Sequence, residues 1–131
     1  MIKKIFLPIF LILVNCTALN NNVTEIEKNF LSREVSIKTE ELLKTVNSNE
    51  YSKLEEIFLP TLKNKIILNE LKKYNLSELT FIISEATVIS KNKAKSMMII
   101  NYDTTSSYYV LTWEKDTING QWKILDVAEK K

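Results

Sequence analysis

The chain contains no histidine, one cysteine, one glycine and two prolines in 131 residues. The missing histidine removes Ser-His and Cys-His dyads, imidazole metal ligands and a histidine pH switch. A single cysteine excludes an internal disulfide and any cysteine-rich zinc or iron–sulfur site. A single glycine excludes the glycine-rich phosphate loops of the Walker and dinucleotide kinds. What the chain does have is 45% hydrophobic and 26% charged residues, enough for one small domain with its own core. Glu40-Glu41 and Glu55-Glu56 read as solvated helix faces with lysines nearby, Glu40 with Lys44 for example, rather than as a convergent oxygen cage. Neither a metal nor a cofactor is expected.

The N-terminus carries a targeting pattern. Lys3 and Lys4 precede Ile5 to Val14, an uncharged run of ten residues. As a helix that run spans about 15 Å, half a bilayer core. It is too short for a membrane span and has the length of a signal-peptide core. The run ends in Leu13-Val14-Asn15-Cys16, which resembles the lipobox of bacterial lipoproteins, with Asn15 standing where a small residue is usual. The resemblance implies cleavage before Cys16 and acylation of its thiol; ordinary secretory cleavage near Ala18 is the alternative. The chain then divides into a signal peptide (1–15), a lipidated cysteine and polar tether (16–23) and a folded domain (24–131). Cleavage removes Lys3 and Lys4, and the 18 basic residues fall to 16, equal to the 16 acidic ones. A neutral domain gives no footprint for nucleic acid. The expected location is a bacterial cell envelope, lipid-anchored to a membrane, which is the outer membrane in an organism with two.

Within the domain, Thr24-Glu25-Ile26-Glu27 is a capping-box pattern that opens a helix running to about Asn47. Its apolar residues form two stripes, Ile26, Phe30 and Ile37 on one side and Leu31, Val35, Leu42 and Val46 on the other. Burial of both stripes within the domain is the expected arrangement; exposure of the first would favour a protein partner. Glu50 to Phe58 makes two further turns, and Pro60 opens a third helix reaching about Tyr74, with an Ile66-Ile67-Leu68 run ambiguous between helix and strand. Period-two patterning then predicts strands over Leu79–Ser90, Ala94–Tyr102, Tyr108–Lys115 and Gln121–Ala128. Lys91-Asn92, the loop Asp103–Ser107 and Ile118-Asn119-Gly120 connect them, the only glycine falling where a hairpin needs positive φ.

Helices followed by an antiparallel meander form an α+β domain: N-terminal helices on one face of a curved, roughly four-stranded sheet. This order, closed by Asn119-Gly120-Gln121-Trp122-Lys123-Ile124, resembles the NTF2-like (cystatin-like cone) superfamily. The resemblance implies a pocket between sheet and helices, and Tyr102, Tyr109, Trp113 and Trp122 are the candidate ligand-binding residues. Trp113 and Trp122 share a sheet face or oppose each other according to one residue of hairpin register. The enzymes of that superfamily, isomerases and cyclases, imply an acidic base beside a hydrogen-bond donor. The nearest set here is Asp103, Tyr102, Tyr108, Tyr109 and Asp126, with Tyr108 and Tyr109 on opposite faces. The favoured reading is a non-catalytic accessory module that takes a small apolar ligand or an envelope protein and reaches the membrane through acylated Cys16. An enzyme using the cone pocket and a surface adhesin-like protein are the alternatives.

Overall fold

The structure, a computed structural model, describes residues 23–130. Cys16, the apolar run before it and the tether lie outside the described residues. Helix α1 (Glu25–Asn47) begins at the expected capping box: Thr24 Oγ1 accepts from the Glu27 amide at 3.1 Å, and the Glu27 carboxylate accepts from the Thr24 amide at 3.3 Å. Helix α2 spans Tyr51–Ile57 and α3 Leu62–Leu71. Pro60 does not sit in the first turn of α3 as expected. Thr61 takes the cap, its hydroxyl accepting from the Asn64 amide, and Pro60 lies just outside. After α3, Asn49 in left-handed conformation turns its side-chain oxygen onto the Leu76 amide at 2.8 Å and fixes a 3₁₀ turn at Leu76–Glu78.

The sheet comprises β1 (Thr80–Ile83), β2 (Thr87–Ser90), β3 (Lys93–Tyr102), β4 (Thr105–Lys115) and β5 (Trp122–Glu129). The single strand expected over Leu79–Ser90 is two, β1 and β2, both paired antiparallel with β3. The break falls where the Ser84 hydroxyl accepts from the Met97 amide at 2.8 Å, satisfying that donor with a side chain in place of the ladder. The five-residue loop expected after Tyr102 is a tight turn, because Tyr102 pairs with Thr105 and Asp103 adopts φ +55, a conformation Asp tolerates.

Strand order is β1–β3–β4–β5, with β2 extending the β1 edge. The sheet is open, neither closed nor strongly curled, and this overturns the NTF2-like cone. Both edges have physical reasons to stay open. One is interrupted at Ser84–Ala86. On the other, β5 is occupied by the α2–α3 connection: Leu59 N–H donates to the Ile124 carbonyl at 2.9 Å, and Asn64 Nδ2 donates to the carbonyls of Leu59, Ile124 and Leu125 at 2.9 to 3.2 Å. At Ile124 and Leu125 the edge carbonyls are therefore already bonded and not available to a further strand. The α+β element order stands, as helices packed against a five-stranded sheet.

Alternation decides which side chains meet the helices. Ala94, Ser96, Met98, Leu111, Trp113, Trp122 and Ile124 are buried and face Leu31, Val35, Leu42 and Val46 of α1 and Leu54 and Ile57 of α2 in one core. Lys93, Lys95, Met97 and Tyr108 on the opposite face are exposed. Trp113 sits opposite Ile124 and Lys115 opposite Trp122, so the two tryptophans share the inner face.

Candidate functional site

The main apolar concavity lies between α3 and the inner face of the sheet. Its volume is about 380 Å³. Leu42 of α1, Leu54 of α2, Phe58, Leu111 and Ile124 line it and are buried, while Phe81, Met98, Ile100, Tyr109 and Val127 contribute the sheet side. Ile66, Ile67 and Leu71 bring α3 to it, and Lys63, Glu70, Tyr74 and Glu129 are its polar or amphipathic members.

The cleft exists because α3 is held at one end. Asn64 is fully buried, and its amide nitrogen is spent on the β5 edge and the preceding connection. Leu68 is the other buried residue of the helix, whereas Leu62 and Ile66 are exposed. The consecutive apolar residues Ile66-Ile67-Leu68 cannot all face one side of a helix. They divide between core contact and the cleft, which resolves their ambiguous patterning. Three further features bound the chemistry. Lys63 Nζ is 2.6 Å from Asp126 Oδ1, Glu70 pairs with Lys73 at 3.0 Å, and no aspartate lines the cleft.

Of the residues singled out from sequence, Tyr109 lines the cleft. Tyr102 is exposed at the end of β3, where its ring meets that of Tyr74 edge to face, with centroids 5.5 Å apart and planes at 72°. Tyr74 in turn lines the cleft, so Tyr102 touches the cleft wall through Tyr74 and does not line it. Trp113 is wholly in the core, its indole N–H donating to Ser96 Oγ at 3.3 Å. Trp122 is 2% exposed and donates to Glu34. Neither tryptophan borders the apolar cleft. Tyr108 lies on the outer face, Asp103 in the β3–β4 turn and Asp126 beside Lys63. The structure therefore does not bring the acid and donor set Asp103, Tyr102, Tyr108, Tyr109 and Asp126 to one place. The sequence reading missed Phe58, Lys63, Phe81 and Ile100: Phe81 and Ile100 meet as cross-strand partners, Phe58 bridges to Ile124, and the docking of α3 adds Lys63.

Two other hollows are of a different character. One, of about 450 Å³ between α1, α2 and the start of β5, is walled by Lys38, Glu41, Glu50, Lys53 and Glu56, with solvated pairs at 3.2 Å (Lys38–Glu41) and 3.4 Å (Lys53–Glu50). The other is shallow and lies between α1 and the β2–β3 turn, bordered by Ile26, Phe30 and Lys91. Here the expectation that both stripes of α1 are covered fails: Ile26, Phe30 and Ile37 are 82%, 56% and 63% exposed. The helix has one layer beneath it and solvent above. Among the described residues no group of three or more potential ligands is placed to hold a metal ion, and no helix is long and apolar enough to cross a membrane.

Comparison with known proteins finds no family and no curated protein that matches the chain. The NTF2-like assignment, already at odds with the open sheet, has no match behind it. No match supports the lipoprotein, signal-peptide and palmitate assignments either, and the Leu13–Cys16 motif that suggested them lies outside the described residues.

Proposed function

We propose that this chain is a non-catalytic binding module, held at a bacterial envelope membrane through an acyl group on Cys16, that takes a small apolar molecule between α3 and the sheet. The observation that carries the binding reading is the apolar cleft of about 380 Å³ bounded by Leu42, Leu54, Phe58, Met98, Leu111 and Ile124. Filling it with an apolar ligand removes hydrocarbon surface from water at about 25 cal/mol per Å², and concave, mostly apolar sites with few polar groups are where small molecules bind. The membrane half of the proposal is supported by the order of Lys3-Lys4, the run Ile5–Val14 and Cys16. Two or three acyl chains on one residue hold a protein stably, where a single chain binds reversibly.

Native mass spectrometry of the full chain extracted from membranes tests both halves. The expected spectrum shows an acyl mass on the Cys16 peptide and a co-purifying small molecule on the folded domain. A chain that carries no acyl mass contradicts the anchor. Failure of apolar small molecules to bind the purified protein contradicts the cleft.

A further inference from the structure

We infer that the exposed stripe at the start of α1 rests on the surface of the membrane to which Cys16 is attached, with Ile26 and Phe30 inserted among the lipids. This rests on the anchoring half of the proposed function. Three observations support it. First, at 100° per residue Ile26, Phe30, Arg33 and Ile37 fall within about 60° of one another on α1, and the three apolar members are among the exposed large hydrophobic residues. From Ile26 to Ile37 the stripe runs about 16 Å along the helix axis, long enough to lie along a surface. Second, only residues 17–23 separate Cys16 from the helix cap at Thr24, and seven residues reach at most about 25 Å. An acylated Cys16 thus keeps the N-terminal end of α1, the end that bears Ile26 and Phe30, close to the lipid headgroups.

Third, two cations that anionic headgroups can pair stand beside the stripe. Arg33 lies within the stripe, and Lys91 of the β2–β3 turn borders the same hollow as Ile26 and Phe30. Among the described residues neither cation is engaged in an ion pair. Glu25 and Glu27 are exposed at the helix start; Glu25 faces Lys28 at 4.0 Å, and Glu27, which borders the same hollow, is engaged in the capping box. Apolar side chains with a cation on the same helix face, here Arg33, and a second, Lys91, on the neighbouring turn suit a helix lying in a membrane interface. Beyond Ile37 the face turns acidic at Glu40 and Glu41, which limits the contact to the first three or four turns.

The test uses the full chain, purified from bacterial membranes and reconstituted into phosphatidylethanolamine–phosphatidylglycerol vesicles. An acylated Cys16 has no free thiol, so Ile26→Cys and Phe30→Cys each provide a unique attachment point for a polarity-sensitive nitrobenzoxadiazole dye. Ile118→Cys, in the exposed β4–β5 turn, is the water-facing control. The expected result is blue-shifted emission at positions 26 and 30, with iodide quenching about threefold or more below that at 118. Quenching equal to that at 118, on protein whose Cys16 peptide carries the acyl mass, overturns the membrane contact and leaves the anchor standing. Protection at 26 and 30 without quenching by nitroxide-labelled lipid in the same vesicles indicates a protein partner instead and also overturns it. Absence of the acyl mass overturns the anchor and the contact together.

Discussion

The indole N–H of Trp122 donates to Glu34 Oε1 over 3.0 Å, joining the middle of α1 to the first residue of β5. The same oxygen accepts from Lys115 Nζ at 3.2 Å, and Lys115 is the cross-strand partner of Trp122. One carboxylate thus gathers two adjacent donors and sets the angle at which α1 crosses the end of the β4–β5 hairpin. Glu34→Ala strands a buried indole N–H, and a loss of about 1–3 kcal/mol is expected. Glu34→Gln keeps an acceptor for the indole and loses less. Urea denaturation of both variants measures this, and equal losses would show that the indole bond contributes nothing.

At the tip of the same hairpin Gly120 has φ +69, and its N–H donates to the Asp116 carbonyl at 2.7 Å. An added Cβ would meet only Lys115 Cε, at 3.9 Å, so the site is roomy and its demand is conformational. Gly120→Ala is expected to lower stability by about 1 kcal/mol and Gly120→Val by more, through left-handed strain. Gly120→Asn should lose less, as asparagine tolerates this region. Identical melting temperatures for wild type and Gly120→Val would contradict the turn.

Asn64 holds the N-terminal end of α3 to the β5 edge. Its amide nitrogen serves three carbonyls while its own Oδ1 has no partner among the described residues. Asn64→Ala frees buried carbonyls and should destabilise by about 2 kcal/mol. Asn64→Asp should lose more at neutral pH, because a carboxylate would face carbonyl oxygens with no donor. Its folded-state pKa must then lie above the ordinary value of about 3.9. The folded variant binds the extra proton, so its stability falls as pH rises from that value and recovers on acidification. Denaturation curves at pH 4 and pH 7 test the sign.

Tyr51 carries a buried hydroxyl without a hydrogen-bond partner among the described residues, and burial raises its phenol pKa above the ordinary value of 10.0. The fold favours the protonated phenol. Its contribution to stability is therefore complete below pH 10 and is lost as pH rises through the higher folded value. Tyr51→Phe removes that alkaline sensitivity, and with no hydrogen bond to lose it should be neutral or slightly stabilising at pH 7. Stability profiles from pH 8 to 12 for both proteins check this; an unchanged alkaline limb in the variant would contradict it.

What was legible in the sequence was local. Thr24 and Glu27 announce α1 because a capping box needs only residues three apart, and Gly120 marks its turn because positive φ is a property of one residue. Less legible was the split of the strand after Leu79, since it depends on the Ser84 hydroxyl taking a ladder position opposite Met97, thirteen residues away. The face shared by the two tryptophans hung on hairpin register, which a single residue of turn length reverses. The cone was misread for a similar reason: element order carries no information about closure, and the β5 edge is taken at Ile124 and Leu125 by Asn64 and Leu59, some sixty residues distant in the chain. The cleft was implied only by three apolar residues in α3 that no single helix face accommodates. The Ile26, Phe30 and Ile37 stripe of α1 was visible from the start; its exposure was not, because periodicity reports which residues share a face and is silent on what covers it.

The central claim is that the space between α3 and the sheet binds an apolar molecule, and titration with a fluorescent apolar probe such as anilinonaphthalene sulfonate measures it most directly. The folded wild type is expected to enhance the probe's emission saturably, with one site per chain. Ile100→Trp, which extends an indole from β3 into the cleft, should weaken that binding at least about tenfold, equivalent to 1.4 kcal/mol, without lowering the melting temperature. Saturable binding that is the same in wild type and Ile100→Trp, or no binding to the folded wild type, would contradict the account.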